Sequence, residues 1–213
     1  MSTIKKIIMV RHGETKWNTE NRIQGQANTP LTELGIKQAQ QTGKALQKEN
    51  ISEIYSSDLG RAMQTAKVIN KYLNLSITKK EELRERNYGV LQGISFDELD
   101  DKFPVIRLNM NSRDPNYVIP GGESIFQFSQ RVSTCINSII ANSNASNLLL
   151  VVHGGVLERF FHTVVGLPLD FKRSFSLSNS SINKFSYVNG MWQLDSWGIT
   201  NHLNEALVLN LKY

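Results

Sequence analysis

Residues 148–155 read LLLVVHGG. Five consecutive apolar side chains, Leu148 to Val152, leave no position for a solvated face, so the run predicts a strand buried on both sides. Such strands belong to parallel sheets with helices packed above and below. The run stops at His153-Gly154-Gly155, and Gly155 to Val165 continues with helical spacing of its apolar residues. The same order of apolar strand, polar stop and helix recurs twice. Ile4 to Val10 ends at Arg11-His12-Gly13, and Glu53 to Ser56 leads into Ser57-Asp58-Leu59-Gly60-Arg61.

Working outward, Thr32 to about Lys48 reads as a helix capped by Thr32, with Ile36, Ala39, Gly43 and Leu46 on one face. Ser57 or Asp58 is expected to cap a second helix carrying Ala62, Thr65, Ala66 and Ile69. Ile77 to Lys79 reads as a strand and Ser124 to Ile140 as a helix. Ile182 to Val188 and Met191 to Trp197 flank Asn189-Gly190, a strong hairpin signal. The expected fold is α/β: a three-layer sandwich whose mostly parallel central sheet has helices on both faces and a C-terminal antiparallel hairpin. Residues 1–213 read as a single domain. The segment of about 89–122, with Pro104, Pro115, Pro120 and weak periodicity, is expected to be a lid-like insertion over the active face.

Bulk properties narrow the function. The chain has 213 residues, one cysteine and a net charge of +5, with a pI near 9.3. Cys135 stands among Val132, Ile136, Ile139 and Ile140, so a packed helix-core thiol is expected, with no intrachain disulfide. No run of lysine or arginine exceeds two residues, which argues against nucleic acid and for a solvated basic surface that also steers anions. No apolar run approaches the length of a membrane span, and the start lacks the form of a secretory signal, so a cytoplasmic location is expected.

In open α/β sheets, sites form beyond the carboxyl ends of the strands. If the three strands are neighbours, His12, His153, Arg11 and Arg61 converge there. That set suits phosphoryl transfer. Histidine can attack phosphorus and carry the phosphoryl group covalently, and guanidinium forks neutralise the phosphoryl oxygens without a metal. The start of a helix beside Arg61 adds favourable backbone dipoles.

Four stretches make a family resemblance specific. Residues 9–39, MVRHGETKWNTENRIQGQANTPLTELGIKQA, resemble the opening of the histidine phosphatase superfamily in its phosphoglycerate mutase-like branch. SSDLGRAMQTA (56–66), LRERNYGVLQG (83–93) and VVHGG (151–155) are similar to its three later signatures, and SSINKF and WQLDSWGITNHL to its tail. The resemblance implies that His12 is the nucleophile and that Arg11, Arg61 and His153 bind the transferring group. It further implies that Asn18 adds a donor and that Glu85 protonates the leaving oxygen and then activates the acceptor. Thr15, Gln24 and Gly154 are expected to line the site. No metal and no cofactor are implied, except 2,3-bisphosphoglycerate if the enzyme is a mutase.

Each residue also has a plainer reading. Glu85 could belong to a solvated charge run with Glu81, Glu82, Arg84 and Arg86. Trp17 could be a packing residue as readily as a pocket wall. His162, beside Phe160 and Phe161, reads as a packed or partly exposed histidine. His202 is divided between the pocket rim and surface structure. Gly121-Gly122-Glu123-Ser124 reads as a helix start or as a loop edging the substrate.

The third signature, with Arg86 as a carboxylate clamp, resembles the mutase form. The segment from Ile94 to Pro120 instead has only Arg107 and Arg113, separated by five residues, and lacks the longer insert with paired arginines of glycolytic mutases. A shorter lid admits water, so hydrolysis of small phosphomonoesters is the expectation and mutase activity the alternative. The Glu14-Thr15 continuation and the lone cysteine depart from secreted acid phosphatases. A binding module without turnover would be marked by loss of His12, His153 or Glu85, and all three are present. The expected partner is a small phosphorylated metabolite. The first strand and the final hairpin could supply edges for a homodimer.

Overall fold

The computed structural model describes residues 4–204. Its six strands form one sheet in the order β3-β2-β4-β1-β5-β6. These are β1 (Lys5–Arg11), β2 (Glu53–Ser57), β3 (Ile77–Lys80), β4 (Asn147–Val152), β5 (Ile182–Val188) and β6 (Met191–Ile199). The first four in spatial order are mutually parallel, whereas β5 runs antiparallel to β1 and β6 antiparallel to β5. This is the expected mostly parallel sheet ending in a hairpin. Asn189 and Gly190 have φ of 52° and 85°, the paired positive values of a two-residue hairpin turn.

The period of two along β1 and β4 divides the core. Ile7, Met9, Leu148, Leu150 and Val152 pack under α6 (Ile125–Asn142) and α7 (Gly154–Val165). Ile8, Val10, Leu149 and Val151 pack toward α2 (Glu33–Leu46) and α3 (Gly60–Asn70). Both sheet faces are covered, which is why LLLVV needs no polar position. Full burial of one such side chain is worth about 2 kcal/mol, so one polar replacement there would be costly. Cys135 lies buried in α6, within the first of these cores.

Two local expectations are corrected. Ile36 is 40% exposed; the buried face of α2 carries Gly35, Gln38, Ala39, Thr42, Gly43 and Leu46. Close approach chose that face. A Cβ on Gly35 would lie 2.1 Å from the Glu14 carbonyl oxygen, and one on Gly43 2.4 Å from the Tyr72 ring. Gln38 Oε1 also accepts the Glu14 amide at 2.9 Å. At α3 the N-cap is Leu59, without a side-chain cap. Asp58 is drawn away by Arg84, whose Nε donates to it at 2.7 Å, and Ser57 turns to the site described below.

The 89–122 segment is more regular than its sequence promises. It contains α4 (Phe96–Lys102) and α5 (Pro104–Ser112), with Pro104 opening the second where a missing N–H costs nothing. Leu91, Leu99 and Ile119 bury themselves with Ile23 in a small core of their own. No helix among the described residues is long and apolar enough to cross a membrane.

Candidate active site

Strand register assembles the site. Arg11 of β1 lies opposite Val152 of β4, and Ser56 of β2 opposite Val151. The residues one step beyond, His12, His153 and Ser57, therefore emerge side by side. The ring centroids of His12 and His153 are 5.2 Å apart.

His12 is 3% exposed. Its Nδ1 lies 2.8 Å from the Gly13 carbonyl, which can only accept, so the neutral ring carries its proton on Nδ1. Nε2 is then the lone-pair nitrogen, and Arg61 Nε donates to it at 3.2 Å. The other arms of Arg61 donate to Gly25 O at 2.6 Å and Ala27 O at 2.8 Å. Gly13 must be small because a Cβ there would lie 2.4 Å from the Gly35 carbonyl. Its amide donates to Thr65 Oγ1, one turn along α3 from Arg61, which ties the His12 loop to that helix. Arg11 reaches across to donate to the Leu177 carbonyl.

Burial, then the Arg61 and Arg11 charges, lower the pKa of His12 well below the ordinary 6.5. His153 is lowered likewise, by burial first and then by Arg61, His12 and Arg11. Burial draws Arg61 down to about 10, against a raising effect of Glu85 and with Arg11 adding to the fall, so Arg61 stays charged at neutral pH. Two neutral imidazoles beside buried guanidiniums form a strongly anion-seeking pocket.

Glu85 faces this pocket from the loop after β3. Its Oε2 accepts the Gly155 amide at 2.8 Å and its Oε1 the Arg86 amide at 2.8 Å. Arg131 braces the loop through the Arg84 and Glu85 carbonyls, while Glu123 accepts from Arg131 and from the Asn87 amide. Asn18 Oδ1 accepts from the Thr15 amide, the Thr15 hydroxyl and Asn179 Nδ2, which leaves the Asn18 amino group for the cavity.

A cavity of about 140 Å³ is lined by Arg11, His12, Asn18, Gln24, Arg61, Glu85 and Gly154, together with Trp17 and Phe96. Those seven residues of the expected set thus converge on it, and Trp17 is a wall; His153 is fully buried against the His12 ring and does not itself line the cavity. Thr15 differs: it is fully buried below Asn18 and shapes the site only through that side chain. Arg86 lines a second cavity with Tyr88 and Arg113; Tyr88 borders both. His162 is buried against the Pro168 carbonyl, as expected of a packed histidine. His202 binds Thr42 Oγ1 and the Ser180 carbonyl, so it fastens the tail to α2 and does not line the cavity. Ser124 caps α6 with a reciprocal capping box, while Glu123 supports the Glu85 loop.

Sequence reasoning missed Asn179 and gave Ser57 only a capping role. Asn179 donates to the His12 carbonyl at 2.9 Å from 167 positions away, and nothing local signals this. Gly25 could have been noticed: its φ is 53° and its carbonyl holds Arg61.

This fold and this cluster of histidines and arginines define a class. The chain belongs to the histidine phosphatase superfamily, branch 1, whose family model matches residues 7–200. Among individual relatives, "Probable phosphoglycerate mutase GpmB" of Proteus mirabilis is 37% identical over 205 residues, 94% of this chain and 95% of that protein. Among solved structures, YhfR of Bacillus stearothermophilus is 31% identical with a TM-score of 0.87, covering 94% of this chain and 100% of that one. A mycobacterial glucosyl-3-phosphoglycerate phosphatase in complex with VO3 is 30% identical with a TM-score of 0.81, covering 92% and 100%.

Proposed function

We propose that this protein hydrolyses small phosphomonoesters without a metal, through a phosphohistidine on His12. The observation that carries this reading is the Arg61 Nε donation to His12 Nε2 at 3.2 Å, beside the cavity that Glu85 borders. At rest the guanidinium masks the lone pair. A phosphoryl dianion is a better acceptor for Arg61, so substrate binding frees Nε2 to attack phosphorus. Arg11, Arg61, His153 and the Asn18 amino group hold the phosphoryl oxygens. Glu85 gives a proton to the leaving oxygen as the P–O bond breaks. A water then attacks the phosphohistidine, Glu85 takes its proton, and the P–N bond breaks to release inorganic phosphate.

Hydrolysis is favoured by the short insertion and by the phosphatase among the similar structures. The mutase reading has its own support in the name of the 37% identical relative. It also has the second cavity, where Arg86 could receive a substrate carboxylate. The two readings share the first half-reaction and differ in the acceptor, water or a second substrate hydroxyl.

The deciding experiment is a chelator-treated assay on 3-phosphoglycerate, with and without catalytic 2,3-bisphosphoglycerate, following phosphate and 2-phosphoglycerate together. Phosphate release without isomer supports hydrolysis; primed isomer formation faster than phosphate release makes the enzyme a mutase. Silence in both channels moves the assay to a panel of phosphomonoesters. A full requirement for added divalent ion would overturn the metal-free route.

A further inference from the structure

Ser57 and His153 are both 0% exposed, and Ser57 Oγ lies 2.8 Å from His153 Nε2. The ring's other nitrogen, Nδ1, is buried with no hydrogen-bond partner among the described residues. A buried orphan of this kind asks for an explanation. The Ser57–His153 bond can run either way, and an acceptor at the ring's other nitrogen decides it. Ser57 Oγ already accepts the Leu59 amide at 3.3 Å, and it has one hydrogen of its own. Among the described residues the only acceptor recorded for that hydrogen is His153 Nε2. If His153 Nε2–H donated instead, the serine hydrogen would be stranded in a dry site; if Ser57 donates, the stranded hydrogen is the one on Nδ1, which a phosphoryl oxygen bound beside the ring can accept.

We propose that Ser57 is a positioning residue that donates to His153 Nε2 and so locks His153 as the Nδ1–H tautomer. The inference rests on the phosphatase reading for its purpose. Phosphoryl oxygens only accept, so a neutral His153 helps solely if its open nitrogen carries a proton. Ser57 supplies that condition before substrate arrives, and the orphan donor is filled when the phosphoryl group binds. The hydroxyl touches neither substrate nor the reacting atoms, so its effect runs through the ring.

The test is 15N NMR of histidine-labelled protein at neutral pH, with His153 assigned by its loss in His153→Asn. Wild type should give a pyrrole-type Nδ1 and a pyridine-type Nε2 for His153. Ser57→Ala should move His153 toward a mixture of tautomers and lower kcat roughly tenfold, as loss of one oriented hydrogen bond implies. Ser57→Thr, which keeps the hydroxyl, should restore both. A wild-type His153 carrying its proton on Nε2 overturns the proposal, as does Ser57→Ala with wild-type tautomer and kcat. If Ser57→Ala does not fold, the wild-type and Ser57→Thr spectra decide. The tautomer is read without turnover, so failure on every phosphomonoester would sink the phosphatase reading and leave this measurement standing.

Discussion

Arg61 Nε stands 3.2 Å from His12 Nε2, donating into the lone pair that attacks phosphorus in the proposed route. Its other nitrogens hold Gly25 and Ala27, so the guanidinium is fixed before substrate arrives. Preorganised charge of this kind carries much of the rate in phosphoryl transfer. Arg61→Lys keeps the charge and loses the fork. Its kcat/KM is expected to fall about 100- to 1,000-fold, measured against any accepted phosphomonoester. A loss under fivefold would mean that charge alone suffices and that the fork geometry is incidental.

His12→Ala removes the nitrogen that the proposed route phosphorylates. Turnover is expected to vanish, and rapid quenching with labelled substrate should trap phosphoenzyme in wild type and none in the variant. Substantial remaining activity would take the nucleophile role from His12.

Glu85→Gln keeps the shape and one of the two amide contacts, and it cannot donate and regain a proton. Alkyl phosphates, which need a protonated leaving oxygen, should slow by about 100-fold or more, and activated aryl phosphates by about tenfold or less. Equal slowing of the two classes would point to a different acid.

Gly155→Ala tests the same carboxyl without touching it. The added methyl would lie 2.1 Å from Glu85 Oε1 and 3.0 Å from Phe128 Cε1, so the carboxyl must move. The expected result is a kcat lower by roughly 10- to 100-fold, since displacements of about an ångström cost that much in oriented catalysis. The leaving-group dependence should resemble that of Glu85→Gln. Wild-type kinetics would show that Glu85 has room the geometry does not record.

The buried histidines also set a pH dependence of stability. Folded His12 and His153 have pKa values well below the ordinary 6.5. The unfolded chain therefore binds more protons below that value, so stability is full above about pH 6.5 and declines as the pH falls. Each histidine steepens the decline by up to about 1.4 kcal/mol per pH unit. Melting followed from pH 8 to 5 should show the fall, and His12→Asn/His153→Asn should flatten it. An unchanged slope would assign the acid lability to other groups.

Much of this protein is legible in its chain. The unbroken LLLVV run requires two covered sheet faces, and Asn189-Gly190 requires a hairpin turn, because both are local consequences of burial and backbone sterics. His12, Arg61, Glu85 and His153 stand in motifs whose chemistry can be named without coordinates, and the order of the signatures identifies the family. The buried face of α2 is different. Ile36 looks like core by hydrophobicity, yet the helix turns Gly35 and Gly43 inward, since contact with the Glu14 backbone and the Tyr72 ring leaves no room for larger residues. The direction of Asn18, the Asn179 contact to the His12 carbonyl, the placing of Thr15 behind the site and the role of His202 as a tie were likewise open until the strands were paired. The Asn179 and His202 contacts join residues far apart in sequence, which only the folded chain brings within reach, and the local Thr15–Asn18 pair is given its direction by the Asn179 contact.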